Sequence, residues 1–209
     1  MAKYIFILIA ATLFACSCSD DETWADSYIT NMVEIDTDGN SSATILRLDN
    51  GQTFFISNAI RFDRPDTTYR CVCIYTVQGK SATIEDYAKA LSAPPVSDTT
   101  DLVIKTDPCH VQSIWYSGGY LNVRLQVQGK DKAHHVALIE QSLARNPDGS
   151  QRLTLLLSHD QNGDLEAFSR NIYLSSPLHN YNLRADRDTV IVNASEQTYQ
   201  IPLLAISCI

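Results

Sequence analysis

Val111-Gln112-Ser113-Ile114-Trp115-Tyr116-Ser117-Gly118-Gly119-Tyr120-Leu121-Asn122-Val123-Arg124-Leu125-Gln126-Val127 alternates apolar and polar residues around a glycine pair. Alternation with a period of two puts one face of an extended chain in a core and the other in water. Leu121, Val123, Leu125 and Val127 form such a face against Tyr120, Asn122, Arg124 and Gln126. Before the turn, Val111, Ser113 and Trp115 alternate with Gln112, Ile114 and Tyr116. Gly118-Gly119 turns the chain between two strands.

The pattern continues downstream. Strands are expected at His134–Ser142, Arg152–His159, Ser169–Leu174, Thr189–Asn193 and Thr198–Ile206, with Asn146-Pro147-Asp148-Gly149 and Gln161-Asn162-Gly163-Asp164 as hairpin turns. Six or seven short strands in such a span predict an antiparallel β-sandwich over 101–209. Upstream, Ile29, Val33 and Ile35 share a face, as do Leu46 and Leu48, then Phe54, Ile56, Ile60 and Phe62, then Cys71, Cys73, Tyr75 and Val77. Asp49-Asn50-Gly51 reads as a type I′ hairpin turn. Ile84, Tyr87, Ala88 and Leu91 fall at i, i+3, i+4 and i+7, which predicts a short helix ended by Pro94-Pro95. Ser92 to Asp101 reads as a linker. Five strands with one helix suit a small barrel of OB type over 27–100. The fold class is therefore all-β, an OB-like barrel followed by a sandwich.

The chain opens with Lys3, about a dozen apolar residues from Tyr4 to Ala15, then Cys16-Ser17-Cys18 and Ser19-Asp20-Asp21-Glu22. The run falls short of the ~20 residues a membrane-spanning helix needs. A lysine, an apolar run and small residues before a cysteine resemble a bacterial lipoprotein signal over 1–18, followed by an acidic tether over 19–26. Cys16 and Cys18 are the lipidation candidates. Leu13 and Ala15 favour Cys16 slightly, and the acidic run after Cys18 resembles the surface-export signal of Bacteroides-type lipoproteins. Such an anchor places the protein in the cell envelope, bound to the outer membrane on its periplasmic or outer face. Each buried CH₂ contributes ~0.8 kcal/mol, so two or three acyl chains hold permanently.

The protein has 209 residues, with 24 Asp+Glu against 16 Lys+Arg, a net charge of −8. No basic cluster offers a surface to nucleic acid. Of the later cysteines, Cys71 and Cys73 lie two apart on one strand face. Their Cα atoms stand near ~7 Å, too far for easy bonding. They read as small buried hydrophobes, while Cys109 or Cys208 remains available for a bridge.

No catalytic or metal constellation emerges, and no cofactor is called for. Ser158-His159-Asp160 has the letters of a triad, but consecutive strand residues point to opposite faces. Asp160-x-Asn162-x-Asp164 and Asp36-x-Asp38-x-Asn40 begin like calcium loops, yet lack the glycine and the closing glutamate. His134-His135 and Cys109-His110 lack zinc spacing and read as surface or strand-end residues. Trp115, Tyr116 and Tyr120 flank the Gly118-Gly119 turn and are the candidate binding residues. Aromatics there stack on a sugar or anchor a protein partner. Alternatively, Trp115 fills the sandwich core while the tyrosines cover a sheet.

The hairpin Ile114–Arg124, with Thr106-Asp107-Pro108 upstream and Ser158-His159-Asp160-Gln161-Asn162-Gly163-Asp164 downstream, resembles NigD-like lipoproteins of the Bacteroides group. The resemblance implies an N-terminal OB-like domain, a C-terminal β-sandwich and lipidation. The family takes its name from a bacteriocin gene cluster in which one member is a proposed immunity protein. It carries no catalytic residues over. The expectation is a non-enzymatic, lipid-anchored envelope protein that binds a protein or peptide, bacteriocin immunity being one version. A glycan-binding accessory lipoprotein is the alternative, and an envelope hydrolase ranks last.

Overall fold

The computed structural model describes residues 27–97, 102–195 and 197–203. Cys16, Cys18, the acidic tether and Cys208 lie outside them. Twelve strands are described: β1 (Ile29–Thr37), β2 (Ala43–Leu48), β3 (Thr53–Ile56), β4 (Thr68–Gln78), β5 (Ser81–Lys89), β6 (His110–Ser117), β7 (Tyr120–Gly129), β8 (His135–Arg145), β9 (Gln151–Asp160), β10 (Phe168–Pro177), β11 (Thr189–Ala194) and β12 (Gln197–Pro202).

The first five close into a barrel in the order β1-β2-β3-β5-β4, with β1 pairing β4 to complete the ring. Alternation makes this possible. Val33, Ile35, Leu46, Cys71, Cys73, Tyr75, Ala82 and Ile84 all point inward and are buried. Side chains fill a barrel of this size, and closure removes the free edges. The Tyr75 hydroxyl accepts a hydrogen bond from Asn31 at 3.1 Å, so this buried polar atom is satisfied. Cys71 and Cys73 are free thiols; each other's proximity and burial push the Cys73 thiol far up, which makes it unreactive.

Two expectations for the barrel are corrected. The segment with helical spacing is β5, a strand. Tyr75 pairs Ile84 while Ile74 pairs Asp86, so Glu85 is an extra, bulged residue. A bulge shifts strand parity by one. The inward set becomes Ala82, Ile84 and Tyr87, and a strand interrupted this way imitates i, i+3. The turn at Asp49-Asn50-Gly51 is a hairpin, but only Gly51 has positive φ (87°), and its amide bonds the Leu48 carbonyl at 2.9 Å. It is therefore a type I turn with a glycine bulge rather than type I′.

The second half is a sandwich of a three-stranded sheet, β10-β7-β6, on a four-stranded sheet, β12-β11-β9-β8. Leu121, Val123 and Leu125 of one sheet and Leu153, Leu155, Leu157, Val190 and Val192 of the other are buried in one core. The β9–β11 pairing is parallel. Parallel neighbours require a long connection, and here β10 supplies it by crossing to the opposite sheet. For that reason the Gln161–Asp164 turn, with Asn162 and Gly163 both at positive φ, leads into another sheet and does not close a hairpin.

The chain between barrel and sandwich covers the edge strands β10 and β8 and the end of β9 that β11 does not reach. Leu91 exchanges backbone hydrogen bonds with Tyr173 and Ser175 of β10, Val96 with Leu138 and Glu140 of β8, and Lys105 and Asp107 with His159 of β9. Edge groups left unpaired invite foreign strands.

The strand assignment of β5 makes a contrast measurable. Ile84→Ala is expected to cost about 2–5 kcal/mol. Glu85→Ala at the bulge stays within about 0.5 kcal/mol. Leu91, 43% exposed, behaves as a surface residue and not as the last buried position of a helix. Urea denaturation of Ile84→Ala, Glu85→Ala and Leu91→Ala checks the order, with Leu91→Ala expected to cost less than Ile84→Ala.

Candidate functional site

The placement of Trp115 follows from a second bulge. Val111 pairs Leu125 but Ser113 pairs Arg124, so Gln112 is the extra residue and β6 changes face there. Val111, Ile114 and Tyr116 consequently pack against the sandwich core. Trp115 turns outward, toward the barrel. It stands half-buried in a groove of about 400 Å³, opposite Met32 of β1 and Leu48 at the end of β2, with Asn31, Asp49 and Asn50 along the wall. The lining mixes the apolar Met32, Leu48 and Trp115 with the polar Thr30, Asn31, Asp49, Asn50 and Ser117, and polar groups in such a cleft fix the orientation of a ligand.

A buried ion pair shapes this groove. Arg70 of β4 has a side chain only 2% exposed and Asp49 one 16% exposed. They meet in a bidentate pair, Nη1 to Oδ1 at 2.6 Å and Nη2 to Oδ2 at 2.8 Å. The remaining Arg70 Nε donates to Ser175 Oγ at 2.9 Å, and Ser175 donates to Asn122 Oδ1 at 2.6 Å. Asn122 Nδ2 donates to Ser117 Oγ at 3.0 Å, and Ser117 returns a hydrogen bond to Asp49. The ring of contacts thus runs from barrel to sandwich and back, with every member satisfied.

Tyr120 belongs to the same joint. Its ring lies under the Arg70 guanidinium, 4.3 Å from ring centroid to Cζ, and its hydroxyl donates to Glu34 at 2.8 Å. Burial and the hydrogen bond to Glu34 push its phenol up to about 12. Glu34 is held in turn by Arg47, which also reaches Asp36. Gly118 completes the fit: its φ is +58°, and a Cβ there would come within 2.6 Å of Asp49 Oδ1.

The three aromatics flanking the turn therefore have three different surroundings. Trp115 lines the groove, Tyr116 faces the sandwich core, and Tyr120 is locked between the domains. Reading the sequence missed Arg70, Asp49, Asn122 and Ser175. Arg70, Asn122 and Ser175 sit on strands and Asp49 in the Asp49–Gly51 turn, places where polar residues are ordinarily solvated, so only their spatial convergence reveals them.

A second cluster corrects the reading of His134, while His110 and His135 are exposed residues at the starts of β6 and β8. His134 and His159 are both buried, with His134 Nδ1 and His159 Nε2 at 2.9 Å. His159 Nδ1 meets the Asp107 carbonyl at 3.0 Å. His134 Nε2 lies 3.4 Å from Asp164, which also receives the backbone amides of Lys130 and Asp131. Neither imidazole is hydrogen-bonded to a hydroxyl or thiol. Ser158 instead donates to the Lys105 carbonyl, and Asp160 pairs with Lys105. Among the described residues no group of three or more His, Cys, Asp and Glu is arranged to hold a metal.

With this geometry in hand, the model of the NigD-like C-terminal beta sandwich domain matches residues 92–202. The chain belongs to the NigD-like family. A NigD-like immunity protein from Bacteroides caccae superposes with a TM-score of 0.64 at 26% identity, over 82% of this chain and 90% of that one. A candidate toxin-related protein from Parabacteroides distasonis gives 0.62 at 20% identity, over 83% and 92%. A candidate lipoprotein from Bacteroides fragilis gives 0.59 at 12% identity, over 87% and 100%. The last two likenesses concern the fold alone. No curated protein matches the sequence.

For this NigD-like protein the joint predicts a specific asymmetry. Arg70→Met alone leaves Asp49 half-buried and unpaired, at a cost of about 3–5 kcal/mol, whereas adding Asp49→Leu restores most of the loss. Gly118→Ala costs about 1–2 kcal/mol through its positive φ alone, and more through the Asp49 contact. Thermal and urea unfolding of these variants, with the double-mutant cycle, measures each effect.

Proposed function

We propose that this chain is a non-enzymatic binding protein of the cell envelope, of the immunity type, which receives a protein or peptide in the groove at Trp115. One observation carries the reading: a large aromatic side chain stands half-buried in a preformed groove whose walls are held by the Arg70–Asp49 joint. Tryptophan in such a setting is the residue type that dominates binding energies. A rigid wall lowers the ordering cost of association. The likeness to an immunity protein supports the class of function, and the lipoprotein-type signal at the start of the sequence supports the envelope. The mechanism is interception. A lipid on Cys16 or Cys18 holds the groove at the membrane, where it meets an incoming toxin at high local concentration.

Expressed in a sensitive strain, the protein protects against a bacteriocin of a neighbouring organism, and Trp115→Ala weakens toxin binding by about 2 kcal/mol, roughly thirtyfold, while folding is retained. Unchanged protection by that variant rules the groove out. A hit on a glycan array that disappears in Trp115→Ala would instead favour a sugar ligand, for which Trp115 beside Asn31 and Asn50 offers a stacking face and polar partners. Replacing both Cys16 and Cys18 by serine is expected to move the protein from the membrane to the soluble fraction, and mass spectrometry of the N-terminal peptide assigns the lipidated residue.

A further inference from the structure

Arg124 is a half-buried arginine without an acidic partner among the described residues. On β7 it lies between the buried Val123 and Leu125, on the face turned away from the sandwich core. Its Nε is enclosed and has no hydrogen-bond partner. The other arginines are provided for. Arg47, Arg70, Arg170 and Arg184 each meet an Asp or Glu, and Arg187 donates to the Asp148 carbonyl. Arg61, Arg64, Arg145 and Arg152 are exposed to water. What holds Arg124 is the Tyr173 ring, 5.8 Å from centroid to Cζ. The ring attracts the charge but offers no oxygen to the N–H donors. A charge partly withdrawn from water without a counter-charge costs free energy that a bound anion offsets.

Strand pairing places Arg124 beside the Trp115 groove. Trp115 pairs Asn122 and Ser113 pairs Arg124. Arg124 is therefore the diagonal neighbour of Trp115 on one sheet face, a separation of roughly 7–8 Å that long side chains bridge. On its other side Tyr173, its partner on β10, lines a second recess of about 300 Å³ with Ala88 and Leu91. The barrel presents a matching row: Met32, Val72 and Ala88 pair across β1, β4 and β5. Met32 lines the groove with Trp115, and Ala88 lines the recess with Tyr173. The two recesses are thus the ends of one cleft between barrel and sandwich, and Arg124 stands between them on the sandwich side. Asp49 is the one charged residue that lines the Trp115 groove, and Arg70 neutralises it. The uncompensated charge next to the groove is therefore positive, in a chain whose net charge is −8.

We propose that Arg124 is the anion-binding residue of the Trp115 groove and that the occupant is an acidic peptide segment, which sets an Asp or Glu carboxylate on Arg124 while an apolar side chain rests on Trp115. This rests on the reading of that groove as the binding site and adds the chemistry of the partner. A guanidinium presents a planar fork that fits a carboxylate through two parallel hydrogen bonds. Tyr173 already holds the fork in position, which lowers the ordering cost of the pair. An uncharged or basic segment leaves the enclosed Nε without an acceptor and is discriminated against.

Selection of a random peptide library, displayed on phage, against the full chain tests this, followed by titration of the enriched peptides. Peptides that require Trp115 are expected to carry Asp or Glu within about two residues of an aromatic or large apolar residue. Changing that acid to its amide, or Arg124→Gln in the protein, is expected to weaken binding about tenfold, and the two changes together no further. Arg124→Lys restores part of the loss, because it keeps the charge and lacks the fork. Arg124→Gln is expected to melt within about 3 °C of the parent chain, since no hydrogen bond or ion pair is lost; a larger drop marks Arg124 as a structural residue and overturns the proposal. Trp115-dependent peptides without an acid, or acidic peptides whose affinity Arg124→Gln leaves unchanged, overturn it as well and leave the groove as the binding site. If no enriched peptide depends on Trp115, the reading of the groove falls and this proposal falls with it.

Discussion

The buried Arg70–Asp49 ion pair is the constraint on which the arrangement of the two halves depends. Taking both charges out of water costs several kcal/mol per ion, and the attraction offsets this only with good geometry and full hydrogen bonding. Both conditions are met. The guanidinium forks onto the carboxylate, Ser175 takes the Nε hydrogen, and Ser117 and Asn122 occupy the remaining sites. Arg70 and Asp49 come from the barrel, whereas Ser117, Asn122 and Ser175 come from the sandwich. A small rotation of one half against the other would break several of these contacts together. The joint thus serves orientation as much as stability, and it keeps the Trp115 groove open at a defined width.

Two bulges decide which side chains face which way. At Glu85 the extra residue brings Tyr87 to the barrel interior; at Gln112 it sends Ile114 and Tyr116 to the sandwich core and Trp115 outward. Both follow from one physical fact, that an inserted residue inverts every later position of a strand. The first disguised a strand as a helix. The second moved Trp115 from the core, where tryptophans of sandwiches commonly lie, to the half-buried groove between the halves.

The histidines show the same limit of pattern reading from another side. His134 and His159 are 25 residues apart and have no spacing that marks a site. They meet because β8 and β9 pair in register, with Val136 opposite His159. Asp164 reaches them through the turn that follows β9. That turn was legible in Gln161–Asp164, but its destination in the other sheet was not. A local φ pattern does not encode which strand comes next to which.

By itself the sequence determined the class of the protein. Alternation placed most strands, the glycine turns separated them, and the acidic balance with its missing basic cluster turned attention away from nucleic acid. The central hairpin and its flanks also carried the family. These are local properties, written in residues within a strand or turn of one another. Only the tertiary structure decided the closing of the barrel through β1 and β4, the crossing of β10 between the sheets, the burial of Arg70 with Asp49, the half-buried place of Trp115 in its groove and the meeting of the two histidines. Each of these depends on contacts between residues distant in the chain. Their energies come from convergence and burial, which no local pattern of residues records.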